Sequence, residues 1–400
     1  MQSTPHAPAS VDPATARGLR TVSALYFCFF AGNGVFLVFI NVYYRSLGLS
    51  GTQIGLINTL APLAGMVGAT LWGMLNDRWG KPRRLFLIVV PGAILASLGL
   101  ALGQSFGWLA LCAAVHQFFG SPLIPLTDST TLSLLGEQRG SYGKYRVWGT
   151  FGFSLTSAMI GFILARTGLR SMFIFYACIY LGLLVASRRL PDVSFSMGRA
   201  PSRGVGPMLR QRRWVIFAIS VFLMWMALNS AIAFLNITLK AMGASEGLIG
   251  LSWTMAAAAE TPVMLASAYL LRSVGPARLV LIGYLGYVVR MLLYSVMPSP
   301  GWAPAINALN AVSYAPFWLG MVAYVAELAP ENLKTTAQGL MGSVMALASM
   351  VGALVGGWLF DSVGSGGLFR VMSGFCLLAL VLFAAEQRLP AKPRRFVQRA

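Results

Sequence analysis

The sequence predicts an all-α membrane protein of twelve transmembrane helices in two six-helix bundles. Three observations carry this: too few charges for a water-facing surface, twelve apolar runs of spanning length, and basic residues gathered on alternate connections. Of the 400 residues 57% are hydrophobic and 10% charged, and the mean hydropathy is +0.70. A soluble domain carries about 25% charged residues, so this chain needs lipid around it.

A bilayer core of about 30 Å takes about 20 apolar residues as helix. Such runs lie near 20–45, 52–75, 85–104, 108–135, 146–166, 170–187, 214–240, 247–271, 278–297, 301–328, 335–360 and 367–386. Short Gly-, Pro- or Arg-bearing connections join most of them, as in helical hairpins. The connection 188–213 differs, being polar, Pro/Gly/Ser-bearing and strongly basic. It divides the chain into an N-terminal bundle (20–187) and a C-terminal bundle (214–388), with a disordered N-terminal tail expected over 1–19 and a basic C-terminal tail over 389–400. The tail is polar and Pro/Ala-rich with no early apolar core, so no cleavable signal peptide is expected.

Orientation follows from the 30 Lys and Arg: 24 fall on the side of the termini, five on the other, and Arg290 lies inside a helix. The positive-inside rule then puts both termini in the cytoplasm of a cell inner (plasma) membrane protein. The same distribution disposes of nucleic acid as a partner. The net charge of +19 is spread over short clusters between spans, whereas a nucleic-acid binder gathers its charge on one face of a soluble domain.

Other classes lack their chemistry. The four cysteines lie far apart inside apolar runs, without metal or disulfide spacing, and no nucleotide-binding glycine loop occurs. No enzyme activity, cofactor or metal is expected. A membrane sensor built on a carrier frame is a remote alternative, but it would want an added soluble module, and neither tail nor linker is long enough.

The second span ends in Gly73-Met74-Leu75-Asn76-Asp77-Arg78-Trp79-Gly80-Lys81-Pro82-Arg83-Arg84, and the eighth in the thinner echo Leu271-Arg272-Ser273-Val274-Gly275-Pro276-Ala277-Arg278. Six plus six spans with repeated loop chemistry is the form expected of an alternating-access carrier. The first of these loops resembles the signature loop of the major facilitator superfamily, matched at Gly73, Leu75, Asp77, Arg78, Gly80, Lys81, Arg83 and Arg84. Pro125-Leu126-Thr127-Asp128 and Tyr142-Gly143-Lys144-Tyr145-Arg146-Val147-Trp148-Gly149 resemble the lactose permease and phenylpropionate permease branch, as does Glu327-Leu328-Ala329-Pro330 followed by Thr336-Ala337-Gln338-Gly339-Leu340.

That resemblance implies the major facilitator fold and assigns roles. Asp128 and Arg146 occupy the places of the branch's substrate-binding acid and arginine, and Glu260 and Arg290 those of its proton-coupling acid and arginine. Phe153 stands where the sugar carrier has a stacking tryptophan, and Asn229 and Asn236 on the seventh span where it has acids. In the tenth span the stretch from Leu309 to Pro316 carries neither the histidine nor the glutamate of that carrier.

Bilayer physics singles out the same four charges. A charge at mid-bilayer costs at least about 2.5–3.5 kcal/mol, so each wants a partner or a wet cavity, and the pairs Asp128–Arg146 and Glu260–Arg290 neutralise all four. Arg146 offers a planar fork for a carboxylate or hydroxyl pair, with Phe153 two turns along the same face; a structural pin is the bland reading. For Glu260, desolvation favours a neutral carboxyl and a near arginine the charged one. Movement relative to Arg290 would load and release a proton, against the alternative of a permanent packing pair.

Asp77, Arg78 and Lys334 are expected to gate the inner side, with Asp77 at the N-terminus of the eleventh span. Asn33, Asn229, Asn236, Asn307, Asn310 and Tyr314 are expected either to line a solute path or to act as interhelical glue; His116 is read as packing. The functional expectation is a proton-coupled symporter of a small organic solute (sugar, nucleoside or aromatic acid), monomeric in the lipid bilayer. An exporter or a facilitator of the same fold is the alternative.

Overall fold

The computed structural model describes residues 13–190, 211–330 and 333–388, which form helices and turns and no strand. The linker core, most of the expected N-terminal tail and the C-terminal tail lie outside the described residues. Helix α1 runs Pro13–Ser46, so its first turns extend into the segment expected to be tail. Proline suits that first position, because its missing N–H would be an orphan there.

The chain forms two compact units. The first comprises the described residues of Met1–Arg199 together with Ala233–Ala257 and Ser299–Pro304; the second comprises those of Ala200–Ile232, Ala258–Pro298 and Ala305–Ala400. In the first unit α1 packs mainly against α6 (Tyr142–Thr167) and α7 (Met172–Ser187). Helix α2 (Gly51–Trp79) opens with a reciprocal cap, Gln53 N–H donating to the Ser50 hydroxyl and Ser50 N–H to the Gln53 side chain, which satisfies two orphan donors. Helix α3 (Pro82–Leu102) begins one tight turn after α2 ends at Gly80.

The fourth crossing is broken. Helix α4 (Phe106–Gly120) stops at Ser121-Pro122 and α5 (Leu123–Leu135) resumes, since proline removes a backbone donor and clashes with the preceding turn. His116 is buried on α4, stacked on Phe36 with ring centres 4.3 Å apart, and 2.8 Å from the Tyr176 hydroxyl. It is a packing residue within an aromatic wall.

Helix α8 (Arg212–Ala241) and helix α9 (Glu246–Leu265) each contribute to both units. Their adjoining ends belong to the first. There Asn236 donates to the Val38 carbonyl at 2.7 Å and Asn41 to the Ala233 carbonyl at 3.1 Å. A Cβ on Gly250 would overlap the Ser157 carbonyl oxygen, and one on Gly161 the Glu246 carbonyl oxygen. Only glycine permits backbones to meet that closely.

The second unit continues with α10 (Ser267–Ser273), separated from α9 by a break at Ala266 that follows Pro262. Then come α11 (Pro276–Ser295), α12 (Ala303–Ala308), α13 (Tyr314–Leu328) and α14 (Lys334–Gln387). Among the described residues eleven helical stretches are long and apolar enough to cross a membrane, one fewer than the twelve runs in the sequence. The difference lies in α14, whose 54 residues contain Gly364 at φ 71°. At 1.5 Å per residue it would be about 80 Å long, more than two bilayer cores. The left-handed glycine turns the chain there, so α14 supplies the last two crossings.

Candidate functional site

The four charges singled out by the sequence fall in two polar clusters within the helices, one in each unit. In the first unit the break after Pro122 starts α5, and Asp128 sits half-buried on its second turn. One carboxylate oxygen accepts from the Tyr26 hydroxyl at 2.5 Å and the Tyr142 hydroxyl at 2.8 Å. Arg146, one turn beyond Tyr142 on α6, does not reach Asp128. Its guanidinium lies over the Phe30 ring, 4.1 Å from the centre, and 5.5 Å from that of Tyr26.

The direct Asp128–Arg146 ion pair expected from the sequence is therefore not formed. The two tyrosine hydroxyls solvate the acid by hydrogen bonding, and the arginine is held by ring faces, an attraction worth about 0.5–2 kcal/mol. The ring beneath Arg146 is Phe30 of α1, a partner that the sequence reading does not name. Phe153 is half-buried on α6 with its carbonyl turned to Gly34. Tyr26, Phe30 and Asn33 follow at spacings of four and three, on one face of α1, so half-buried Asn33 joins this cluster by register.

The second cluster depends on a broken helix. Pro316 cannot donate to the Val312 carbonyl, and the tenth crossing tightens into a 3-10 turn, Leu309–Ala311, between α12 and α13. That turn carries Asn310. Its amide donates to Glu260 Oε2 at 2.6 Å, and its carbonyl oxygen accepts from Arg290 Nη1 at 2.6 Å. Arg290, 6% exposed, also donates to Asn307 at 2.5 Å and to the Tyr294 hydroxyl at 2.9 Å.

Glu260 and Arg290 are thus joined through one amide rather than directly paired, which corrects the second expected ion pair. The physical reason is reach: the 3-10 turn inserts Asn310 between them. Two polar atoms near this arginine are buried without a partner, the Tyr287 hydroxyl and Asn307 Nδ2. Tyr314 begins α13 and stacks on Trp318, ring centres 5.9 Å apart.

The remaining candidates divide. Asn229 donates to the Trp225 carbonyl of its own helix at 2.8 Å. Asn236 is spent as glue: besides Val38 it accepts from Trp253 at 3.0 Å. Asp77, Arg78 and Lys334 are exposed at helix ends, the first two in the last turn of α2 and Lys334 at the first residue of α14.

The sequence reading missed a third cluster. Fully buried Glu386 accepts from Arg213 Nε at 2.5 Å and from the Tyr324 hydroxyl at 2.8 Å, and Gln387 donates to the same tyrosine at 2.8 Å. Arg213 had been counted with the basic linker. An acid at the very end of the last apolar run is the available signal.

The profile of the MFS_1 like family matches residues 19–371. The chain is 28% identical to the maltose permease of Geobacillus stearothermophilus over 381 residues, covering 93% of this chain and 96% of that one. It is 25% identical to the probable 3-phenylpropionic acid transporter of Escherichia coli K12, covering 91% and 96%. The solved structure of the nucleoside transporter NupG superposes with a TM-score of 0.83 at 15% identity, covering 93% of this chain and 99% of that one. With its helical crossings, its signature loop and a family match over most of its length, this chain belongs to the MFS_1 like family of the major facilitator superfamily of membrane transporters.

Proposed function

We propose that this protein is a secondary active transporter working by alternating access, and that it carries a small organic solute together with a proton across the cytoplasmic membrane, both termini facing the cytoplasm. The observation that carries the coupling is the Glu260–Asn310–Arg290 bridge. A directly paired carboxylate cannot take up a proton without abandoning its arginine inside the membrane, where an uncompensated charge is costly. Here Arg290 keeps Asn307, Tyr294 and Asn310 as acceptors whatever the state of Glu260. Glu260 can therefore change its charge while the guanidinium stays solvated by protein.

The solute site is assigned to the first cluster. Arg146 supplies planar donors, Phe30 and Tyr26 supply ring faces, and the second oxygen of Asp128 is an open acceptor. A face that joins stacking surface to hydrogen-bonding groups suits a sugar, a nucleoside or an aromatic acid, and the relatives include permeases for maltose and sucrose. Asn33, Asn229, Tyr314 and Phe153 are assigned to the solute path, and Asp77, Arg78 and Lys334 to the inner gate. The test is reconstitution in vesicles with an imposed pH gradient and a panel of maltose, sucrose, a nucleoside and 3-phenylpropionate. Uphill uptake of one of them that collapses when the gradient is discharged supports the reading; uptake that only equilibrates overturns the coupling.

A further inference from the structure

A cavity of about 720 Å³ opens in the first unit between the start of α1 and the start of α6. It is well within the size range of small-molecule sites, and neither the acid–arginine cluster nor the gate uses it. Its walls are Leu19, Ala24 and Phe27 from α1 and Tyr145 and Trp148 from α6, with Arg20 at one end. Arg20 and Trp148 are exposed, the latter at 48%.

Helical register shows which way the cavity faces. Asp128-bonded Tyr142, Arg146 and Gly149, which receives Phe30 of α1, lie on other faces of α6, and Gly152, against the Phe27 carbonyl, marks the edge where the stripe meets α1. Trp148 heads a stripe that continues with Phe151, Leu155, Met159 and Phe162, each more than half exposed. Large apolar side chains exposed along a spanning helix are the surface that lipid covers. The cavity is the upper end of that stripe, where an apolar trough meets cations.

Those cations are Arg20 in the wall, with exposed Arg17 one turn before it and exposed Lys144 beside Tyr145. Among the described residues no carboxylate lines the cavity. Tyr and Trp at the same level are the residues that settle at the headgroup boundary. A trough for a hydrocarbon chain, an aromatic collar and a basic rim form one continuous surface among the described residues, complementary to a molecule with an acyl chain below and a negative phosphate above.

We propose that this cavity is a binding site for an anionic phospholipid, its phosphate on Arg20 and one acyl chain laid along Leu19, Ala24, Phe27 and Trp148. The site is distinct from the solute path and does not depend on which solute is carried. One basic residue at a membrane surface strengthens attraction to an anionic lipid about fivefold, so Arg20 sets a preference of that size over a zwitterionic lipid of the same chains.

Quenching of tryptophan fluorescence by brominated acyl chains tests this on the full chain in vesicles. The Trp148 contribution is the wild-type signal minus that of Trp148→Phe. Brominated phosphatidylglycerol is expected to quench that contribution at about one fifth the mole fraction needed by brominated phosphatidylcholine. Arg20→Gln should make the two lipids equal, and Arg20→Lys should retain the preference. Equal quenching by both lipids in the wild type overturns the site. So does loss of quenching on adding soluble glycerol phosphate, which would mark a phosphate site without a lipid.

Discussion

Replacing Glu260 by Gln should abolish uphill accumulation while leaving downhill exchange intact. The magnitude follows from the cluster's composition. It holds one carboxyl, and the groups that bridge and surround it are Asn310, Arg290, Asn307 and Tyr294. One carboxyl loads one proton per cycle. A gradient of one pH unit is worth about 1.36 kcal/mol per proton, so a neutral solute accumulates about tenfold per pH unit. An interior-negative potential of 100 mV adds about 2.3 kcal/mol per charge moved, a further factor of about 50. In vesicles with the potential clamped at zero, the wild type should thus reach a tenfold ratio at one pH unit, and Glu260→Gln a ratio of one. Glutamine preserves size and can still accept the Asn310 hydrogen bond, so exchange of labelled for unlabelled solute should persist and certify the fold. Accumulation by the variant equal to wild type would refute the assignment. A wild-type ratio near a hundredfold per pH unit would show a second proton carried elsewhere.

Other expectations are more local. Glu386→Ala removes the buried partner of Arg213 and should cost about 3–5 kcal/mol, seen as a lowered melting temperature in detergent; a double-mutant cycle with Arg213→Gln should recover a large coupling, and additive effects would deny the pair. Phe30→Leu deletes the ring under Arg146 and should weaken solute binding about two- to thirtyfold, the range of a cation–π contact, measured by titration calorimetry. Gly250→Leu places a side chain against the Ser157 carbonyl; overpacking of this kind costs about 1–3 kcal/mol, and spin labels on α6 and α9 should report a longer separation. An unchanged distance would show that the contact yields without strain.

What was legible in the sequence was what periodicity and charge write directly. The crossings could be counted because bilayer thickness sets their length, and the signature loop from Gly73 to Arg84 sits at the end of α2 as its residues imply. Asp128, Arg146, Glu260 and Arg290 could be singled out because ionised groups are rare in lipid. Their partners could not. Charge counting pairs acids with arginines, yet Asp128 took two tyrosine hydroxyls and Glu260 an asparagine amide. Those choices turn on ångström-scale reach, set by breaks at Pro122 and before Pro316 that leave no trace in hydropathy. Asn229 and Asn236 look equivalent at a spacing of seven, but one bonds back to a carbonyl of its own helix and the other ties α8 to α1. Glu386 was overlooked because Arg213, its partner, is 173 residues away and sits in what reads as linker.

The 3-10 turn at Asn310 also fixes the azimuth of everything after it. Three residues wound at 3 per turn advance about 60° further than the same three wound at 3.6. Restoring a regular helix, as Pro316→Ala would favour, swings α13 about its axis by that amount. Tyr324, two and a half turns on, would no longer point at Glu386. A single imino acid near the middle of the membrane thus keeps a tyrosine in register with a carboxylate at its edge.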